Sequence, residues 1–306
     1  MLEFSERFIT AANRYIETLR QEVNETLDLV SKFDNGCPPQ LGDAVRYSLL
    51  APGKRLRPLF VLLACELCGG QRQLAMPAAC AVEMIHCYSL IHDDLPAMDN
   101  DDTRRGRPTC HKQFDEATAI LAGDALIPAA FEMLAKMEPP ELAVRCCREL
   151  AVAAGASQLV GGQMDDVLQE RTPASPTQDF LERIHLRKTG ALIRVSLRLG
   201  GLAAEGTEPQ LEHLDNFGAD FGLAFQITDD LLDVLGDEQD VGKRLHKDSE
   251  KGKLSYPAIL GVEKSQKEAE RLVNKAVDSL TAAGSKDSIS FDVLRFMAYR
   301  LLNRKC

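Results

Sequence analysis

Apolar residues recur at steps of three and four along most of the chain, which is the spacing of an amphipathic α-helix. The segment holding Ala269, Leu272, Val273, Ala276 and Leu280 shows this spacing clearly, because charged residues fill many of the positions between them. Runs that alternate apolar and polar residues between turn signals are scarce, and β-branched residues do not cluster. The pattern therefore predicts helices almost throughout.

Turn-forming residues divide this helical pattern into about ten segments, most of them long enough for a helix. None of the breaks is a long low-complexity linker, and the composition does not shift across any of them. We therefore predict one all-α domain over residues 1–306, a bundle of about ten or more helices around a central cavity. The breaks lie near residues 35–36, 51–53, 69–70, 138–140, 172–176, 206–209, 236–252 and 284–285.

Composition and charge narrow the function classes. Hydrophobic residues make up 45% and charged residues 27% of the chain, as in an ordinary soluble protein. No stretch approaches the roughly 20 apolar residues that span a membrane, so we expect no stable membrane insertion. The nine cysteines are scattered through predicted helices, which suits reduced thiols in the cytoplasm. A net charge of −10 argues against nucleic acid as a partner.

Two aspartate-rich segments stand inside apolar, helix-forming sequence, where an unpaired carboxylate is costly. The second of them, Asp229-Asp230-Leu-Leu-Asp233, follows an apolar stretch over residues 221–227. Its spacing places all three carboxylates on one face of a helix. Like charges repel there unless a cation intervenes, so we predict a metal-binding face rather than a solvated acidic one.

The first segment, Asp93-Asp94-Leu-Pro-Ala-Met-Asp99, has a longer spacing. Asp93 and Asp99 lie about 240° apart around a regular helix and so do not share a face. Pro96 removes a backbone donor and disfavours helical conformation at Leu95. We therefore predict that the helix bulges or ends here, which would let both carboxylates reach one metal ion.

Two basic clusters complete the candidate site, Gly53-Lys54-Arg55-Leu56-Arg57-Pro58 and Arg104-Arg105-Gly106-Arg107-Pro108. Either cluster alone is typical of a solvated loop, but guanidinium and ammonium groups also suit phosphate oxygens. Beside metal-binding carboxylates they predict sites for two polyphosphates, with the apolar helices before Asp93 and Asp229 lining a cavity. Magnesium fits this arrangement because it binds through one or two carboxylates plus substrate phosphates.

With these motifs in order, the chain resembles the trans-prenyl diphosphate synthases, and most closely the bacterial farnesyl diphosphate synthases. The resemblance runs by motif from Val45 to Gly261, and the motifs together are very specific. They are the basic cluster at 53–58, the aspartate motif at Asp93 followed by Arg104-Arg105-Gly106, Gly162-Gln163 with Asp166, Lys188-Thr189, and Phe225-Gln226 leading into Asp229.

The resemblance implies an isoprenoid-synthase fold, a homodimer and a role for each matching residue. Three Mg²⁺ ions would bind the six motif aspartates, Asp93, Asp94, Asp99, Asp229, Asp230 and Asp233. The residues implied to hold the allylic diphosphate with these ions are Arg104, Lys188, Lys243 and Lys253. The residues implied to hold isopentenyl diphosphate without metal are Lys54, Arg57, His86 and Arg105. Thr189 and Gln226 would lie along the reacting carbons.

The implied reaction is head-to-tail condensation of isopentenyl diphosphate with dimethylallyl or geranyl diphosphate. Metals and cations stabilise the leaving diphosphate, so the allylic C–O bond ionises and the isopentenyl double bond attacks the carbocation. A proton then passes to the departing diphosphate, and a dry apolar cavity keeps water away from the cation.

Tyr88 bears on the length of the product. It lies about one and a half helical turns before Asp93, where a large aromatic side chain is expected to form the floor of the cavity. An aromatic residue at this position goes with short products in the family, so we expect farnesyl diphosphate (C15) rather than geranylgeranyl diphosphate (C20). The alternative is a tyrosine that simply packs in the core.

Functions of other classes stay open at this stage. A helical metal-dependent phosphohydrolase could use the His92-Asp93 doublet, but the second aspartate motif would then have no role. A terpene cyclase would not need Lys54, Arg57 and His86. A non-catalytic synthase subunit would be expected to have lost motif aspartates, and all six are present. We interpret His92 as a structural hydrogen-bonding residue.

Two positions depart from the family pattern. His246 stands before Lys247-Asp248 where relatives often carry a glycine, which affects the loop expected to close over the diphosphate. The chain ends in Cys306 after Arg304 and Lys305, whereas relatives often end in basic residues directed at the isopentenyl site.

Overall fold

The computed structural model describes residues 4–171, 177–235 and 254–303, and these form a helical bundle with one small β-hairpin. The predicted all-α class is confirmed. The elements are α1 (Glu6–Val30), α2 (Pro39–Leu49), α3 (Leu56–Leu67), α4 (Arg72–Asp93), β1 (Thr103–Arg104), β2 (Arg107–Pro108), α5 (Cys110–Gln113), α6 (Glu116–Ala135), α7 (Pro140–Ala154), α8 (Leu159–Arg171), α9 (Gln178–His185), a π-helical segment (Leu186–Gly190), α10 (Ala191–Ala203), α11 (Glu208–Leu235), α12 (Tyr256–Leu260), α13 (Val262–Ala283) and α14 (Ile289–Leu302).

The helices begin where local chemistry satisfies their first backbone N–H groups. The side chain of Ser5 accepts a hydrogen bond from the Phe8 amide at the start of α1, and Asp115 does the same for Thr118 at the start of α6. Proline occupies the first position of α2 and of α7, where its missing N–H is not needed. The predicted breaks near 35–36, 51–53, 69–70, 138–140, 206–209 and 284–285 fall at helix boundaries, whereas the break over 155–158 between α7 and α8 was not predicted. The predicted breaks at 172–176 and 236–252 lie outside the described residues.

The centre of the bundle is built from α3, α4, α10 and α11. The ring of Phe60 on α3 meets Phe221 on α11 edge to face, with centroids 4.9 Å apart. Helix α6 packs along α4, and α13 packs along α11. One contiguous buried cluster reaches from Ala12 on α1 to Leu301 on α14. The expectation of a single domain over residues 1–306 stays a prediction.

The hairpin β1–β2 was not expected from the helical pattern. Arg104 pairs with Arg107, and the two residues between them, Arg105 and Gly106, both have positive φ, at 54° and 73°. Positive φ at both central residues is the geometry of a tight two-residue hairpin turn, which glycine favours. The basic cluster at 104–108 thus lies on a fixed turn rather than in an open loop.

Two helices, α4 and α6, are long and apolar enough to cross a membrane by length and composition alone. The most apolar part of α4 is 67% buried inside the protein, which is typical of a core helix. The corresponding part of α6 is only 39% buried. Core helices of soluble proteins reach the same length and hydropathy, so the two helices are weak support for membrane insertion. The expectation from the sequence that the protein does not insert stably into a membrane stays a prediction.

Candidate active site

The first aspartate motif sits where α4 ends. The last helical residue is Asp93, and Asp94 caps the helix. The chain then turns back, so that the backbone N–H of Asp99 donates to the carbonyl oxygen of Asp93 at 2.9 Å. The prediction that the helix could not run straight from Asp93 to Asp99 is confirmed. Pro96 lies in the turn and accounts for the helix end.

These carboxylates, Asp93, Asp94 and Asp99, form what we call the acidic centre. Burial raises the pKa of Asp93 to about 7, with the neighbouring Asp99 charge adding to the rise and Lys188 opposing it. Burial also raises the pKa of Asp94 to about 6, although Arg104 Nε donates to its Oδ1 at 2.7 Å. Desolvated carboxylates that repel one another favour a bound cation. The electrostatics therefore suit metal binding.

The second aspartate motif lies on the last turns of α11. Asp229 is exposed, while Asp230 and Asp233 are half-buried. The Oδ2 atom of Asp230 accepts the backbone N–H of Tyr256 at 2.9 Å, which ties α11 to the start of α12. One carboxylate of this motif is thus held by backbone chemistry that the sequence did not predict.

Within the described ranges, no three His, Cys, Asp or Glu side chains come together as a preformed metal site. The donor set nevertheless fits Mg²⁺, which keeps several waters and uses only one or two carboxylates plus substrate phosphates. The raised pKa values of Asp93 and Asp94 support this fit, because the ionised forms lack sufficient compensation from the protein alone. The expected number of three ions stays a prediction.

Lys188 and Thr189 lie in the π-helical segment between α9 and α10, a feature without a signal in the sequence pattern. Such short π segments are frequent at functional sites. Two glycines bring neighbouring helices against it. A Cβ on Gly162 of α8 would lie 2.4 Å from the Lys188 backbone nitrogen, and one on Gly222 of α11 would lie 3.1 Å from the Cα of Gly190. Larger residues would push these helices away.

This segment acts electrostatically on the end of α4 and lies against the backbone of α11. Lys188 donates to Asp166 of α8 at 2.6 Å, and its charge also opposes the burial that raises the pKa of Asp93 at the end of α4. Thr189 is half-buried in the same segment, and Gln226 is half-buried on α11 one turn before Asp230. Asp166 was only a marker in the sequence, and the structure gives it the role of fixing Lys188.

The predicted isopentenyl residues Arg57, His86 and Arg105 form what we call the basic pocket. His86 and Arg105 line a cavity of about 50 Å³ between α2, α4 and the hairpin. Burial and then the charges of Arg57, Arg105, Arg104 and Arg55 lower the pKa of His86 well below its usual range. Burial likewise lowers the pKa of Arg57 to about 10. The two basic clusters of the sequence thus meet at His86.

The hairpin gives its two leading arginines different direct partners, although both line the cavity beside His86. Arg104 bonds Asp94 of the acidic centre, whereas the guanidinium of Arg105 packs against Gly53, where a Cβ would lie 2.7 Å from its Nη1. A side chain at position 53 would displace the Arg105 guanidinium from this position. Lys54, the next residue, is exposed.

Sequence reasoning missed Arg55 and Glu83, which form a buried ion pair below the basic pocket at 2.8 Å. A signal for Glu83 did exist, because a carboxylate in the apolar run of α4 requires a partner. The sequence did not indicate which cation would be the partner of Glu83. Arg55 had been read only as one more member of the basic cluster.

Tyr88 is buried at 8% exposure and meets the His92 ring edge to face at 5.8 Å. Its hydroxyl has a raised pKa because of burial and the nearby Asp93 charge, so it lies on the acidic side of α4. His92 Nε2 lies 3.1 Å from the carbonyl oxygen of Ile120 on α6, and Gly123 leaves room for its ring. The structural hydrogen bond predicted for His92 is confirmed.

Several predicted site residues fall outside the described part of the chain. They are Lys243 and Lys253 of the allylic site, together with His246, Arg304, Lys305 and Cys306. Their roles stay predictions that follow from the sequence resemblance.

Comparison with known proteins agrees with this geometry. The polyprenyl synthetase family matches residues 38–290 of the chain. A heterodimeric geranylgeranyl pyrophosphate synthase large subunit 1 of Arabidopsis thaliana chloroplasts is 46% identical over 293 residues, covering 94% of this chain and 78% of that protein. A geranylgeranyl diphosphate synthase of Cyanophora paradoxa is 44% identical over 269 residues, covering 87% of this chain and 89% of that protein.

Solved structures show the same similarity. A geranylgeranyl pyrophosphate synthetase of Pyrococcus horikoshii superposes with a TM-score of 0.89 at 30% identity, covering 98% of this chain and all of that one. An FPP/GFPP synthase of Zymomonas mobilis superposes with a TM-score of 0.85 at 35% identity, covering 96% of this chain and 99% of that one.

Proposed function

Since the chain belongs to the polyprenyl synthetase family, we propose that it makes farnesyl diphosphate from isopentenyl diphosphate and the allylic starters dimethylallyl and geranyl diphosphate. It is a prenyltransferase of the trans-prenyl diphosphate synthase group. The proposal concerns its starters, its product and the residues that carry the reaction.

One observation carries the proposal: a basic pocket and an acidic centre lie side by side and are joined by the hairpin of Arg104 and Arg105. A diphosphate that needs no metal suits the basic pocket, where guanidinium groups surround a neutral His86. A diphosphate that arrives with metal suits the acidic centre. Two diphosphates bound in these different ways are what a condensation of two diphosphate esters requires.

On the isopentenyl side, Arg57, Arg105 and the exposed Lys54 would supply positive charge, and His86 would donate an N–H. The lowered pKa of His86 keeps its imidazole neutral at physiological pH, so it acts by hydrogen bonding and not as an ion. The pKa of Arg57, at about 10, leaves that guanidinium charged. These groups hold the diphosphate end and leave the double bond free to react.

On the allylic side, Asp93, Asp94, Asp99 and the aspartates of the second motif would hold the Mg²⁺ ions. When bound, Mg²⁺ supplies positive charge for the oxygens of a departing diphosphate. Lys188 and Arg104 add fixed cations that are already oriented by Asp166 and Asp94. Preorganised charge of this kind favours heterolysis of the allylic C–O bond.

The carbon chemistry needs no protein nucleophile. The electron pair of the isopentenyl double bond forms the new C–C bond to the allylic carbocation. Thr189 and Gln226 provide dipoles along that path. A proton then leaves the condensed cation for an oxygen of the departing diphosphate, which Lys188 and Arg104 still hold. Exclusion of water by the packed helices protects the cation.

Tyr88 supports the C15 product. Its buried ring lies on α4 about one and a half turns before Asp93 and meets the ring of His92 edge to face, so a chain that grows along α4 would meet a rigid aromatic surface. The C20 product is the second candidate, because the curated relatives named above are geranylgeranyl diphosphate synthases.

Mass spectrometry of the products tests both candidates. Purified protein would receive Mg²⁺ and isopentenyl diphosphate with dimethylallyl, geranyl or farnesyl diphosphate in turn. We expect C15 diphosphate from the first two starters and little turnover of the third. Efficient C20 formation would support the second candidate and exclude Tyr88 as the floor. Folded protein that condenses no starter would contradict both.

We further propose a homodimer that works in the cytoplasm. Val160, Met164 and Leu168 form a stripe on α8 in which each residue is about half exposed, at 49%, 53% and 48%, and a second copy of the chain would cover it. The eight cysteines in the described ranges form no disulfide, which suits a reducing compartment. Light scattering tests the dimer: a monomer at working concentration would contradict it, and Met164→Glu should weaken it.

A further inference from the structure

The ion pair below the basic pocket is fixed from several sides. Arg55 Nη1 donates to Glu83 Oε1 at 2.8 Å, and both side chains are only 3% exposed. Arg55 Nε donates to Asn24 Oδ1 on α1 at 2.8 Å, and its Nη2 donates to the Ala51 carbonyl oxygen at 2.8 Å. These bonds join α1, the loop before α3 and α4.

The backbone directs this arginine inward. Arg55 has φ of +50° at the N-cap of α3, a conformation that residues other than glycine seldom adopt. Lys54 before it is exposed, and Arg57 after it belongs to the basic pocket. The cluster contains three cations, Lys54, Arg55 and Arg57. Among the ion pairs described, the buried pair with a carboxylate belongs to Arg55.

Glu83 is placed to act on the whole pocket. Glu83, Arg55, His86, Arg104 and Arg105 line the same cavity. The charge of Glu83 supports the ionised forms of Arg57 and Arg105, since it raises the pKa of each against the effect of burial. A buried ion pair is often replaceable by apolar side chains without loss of stability. The burial of this pair is therefore weak evidence for a purely stabilising role.

We propose that Glu83, held in place by Arg55, is the internal counter-anion of the basic pocket and limits how tightly the pocket retains a diphosphate. The reason lies in the reaction order, and this step rests on the proposed function. Condensation leaves the new allylic product attached to the diphosphate that entered with isopentenyl diphosphate. That diphosphate must leave the basic pocket before the next extension or release, so excessive affinity would slow turnover.

Two single variants and their combination test the proposal by charge. Glu83→Gln removes the negative charge, Arg55→Gln removes the positive charge, and the double variant removes both. The probe is inorganic pyrophosphate in the presence of EDTA, with its affinity measured by calorimetry at fixed salt. Glu263→Gln is the matched control, because Glu263 is exposed and pairs with Lys267 on α13, so the net charge changes equally without touching the pocket.

We expect Glu83→Gln to bind pyrophosphate on the order of tenfold more tightly and Arg55→Gln to bind it more weakly by a similar factor, as one unit charge at close range in a protein produces. The double variant should bind within about threefold of the parent, since its local charge is unchanged. In steady state, Glu83→Gln should lower both the KM for isopentenyl diphosphate and kcat, and Glu263→Gln should change neither.

Equal weakening by both single variants would overturn the proposal, because a purely structural pair gives losses and no gain. If Glu83→Gln does not fold, Arg55→Gln and the double variant decide the matter. Tighter pyrophosphate binding by the double variant than by Arg55→Gln supports Glu83 as a counter-anion. Equal pyrophosphate affinity of these two variants contradicts it. The two proposals can fail separately. If pyrophosphate binds more tightly to Glu83→Gln and more weakly to Arg55→Gln, but the parent condenses no substrate, the counter-anion role stands and the proposed function is refuted.

Discussion

The basic pocket and the acidic centre differ in how the chain balances their charge. In the basic pocket, the charge of Glu83 supports the ionised forms of Arg57 and Arg105, and Glu83 itself is paired with Arg55. Among the described residues, Lys188 and Arg104 oppose the charges of Asp93 and Asp94 in the acidic centre, yet burial keeps both pKa values raised. The charge of the pocket therefore suits an anion, whereas the desolvated carboxylates of the acidic centre favour a bound cation.

This difference predicts which substrate depends on metal. An anion can enter the basic pocket without Mg²⁺, because the guanidinium groups already provide the charge. The allylic diphosphate depends on metal, because the acidic centre by itself would repel it. Variants in the two regions should accordingly change different kinetic parameters.

The largest effect is expected for Asp93→Asn. Losing a ligand for Mg²⁺ should lower kcat by about 10³-fold, which corresponds to several kcal/mol of transition-state stabilisation. Pyrophosphate binding in EDTA should stay unchanged, because the basic pocket is untouched. Asp124→Asn on α6 is the control, since Asp124 is largely exposed. A kcat within tenfold of the parent would remove Asp93 from the metal site.

Arg57→Gln should affect the basic pocket rather than the acidic centre. Removing one charged donor should raise the KM for isopentenyl diphosphate by about 10- to 100-fold, as expected for a hydrogen bond to a charged group. The KM for geranyl diphosphate should move less than threefold. Arg271→Gln, at an exposed i, i+3 ion pair with Glu268, serves as the matched control. Equal increases in both KM values would show that the two centres are not independent.

Tyr88→Ala should lengthen the product without affecting the basic pocket. Removing the ring opens space below Asp93, so the ratio of C20 to C15 diphosphate should rise by about tenfold while the KM for isopentenyl diphosphate stays the same. Tyr88→Phe keeps the ring and should leave the ratio unchanged. Unchanged C15 output from the alanine variant would place the floor elsewhere.

The smallest effect is on stability in the absence of metal. A folded-state pKa of about 7 for Asp93 lies above its ordinary value of 3.8, so its contribution is fully present below pH 3.8 and is lost as the pH rises through 7. Thermal unfolding in EDTA should therefore show Asp93→Asn gaining stability over the parent as the pH rises from 3.8 to about 7, by a few degrees in all, with no further gain above that range.

Adding Mg²⁺ with pyrophosphate should reduce that difference, because the bound cation compensates the ionised carboxylates of the parent. A pH-independent difference between parent and Asp93→Asn would mean that Asp93 is ordinarily solvated. That result would also weaken the contrast between the two centres.

The sequence by itself determined the helical class, most of the helix ends and both aspartate motifs. These features depend on local chemistry: the three- and four-residue apolar spacing, Pro96 after Asp94, and caps such as Ser5 and Asp115. It also supplied the residues of the basic pocket, because Arg57, His86 and Arg105 matched a family pattern.

Only the tertiary structure decided how these residues are used. The sequence did not distinguish Arg55, whose charge is matched inside the fold, from Arg57, because the choice depends on a buried carboxylate on α4. It did not reveal that Arg104 bonds Asp94 while Arg105 packs against Gly53, since Arg104 lies on β1 and Arg105 lies in the two-residue turn with positive φ that follows. Lys188 gains its position from a π segment that helices α8 and α11 approach through glycine. Each outcome depends on contacts between segments far apart in the chain, which local residue spacing does not encode.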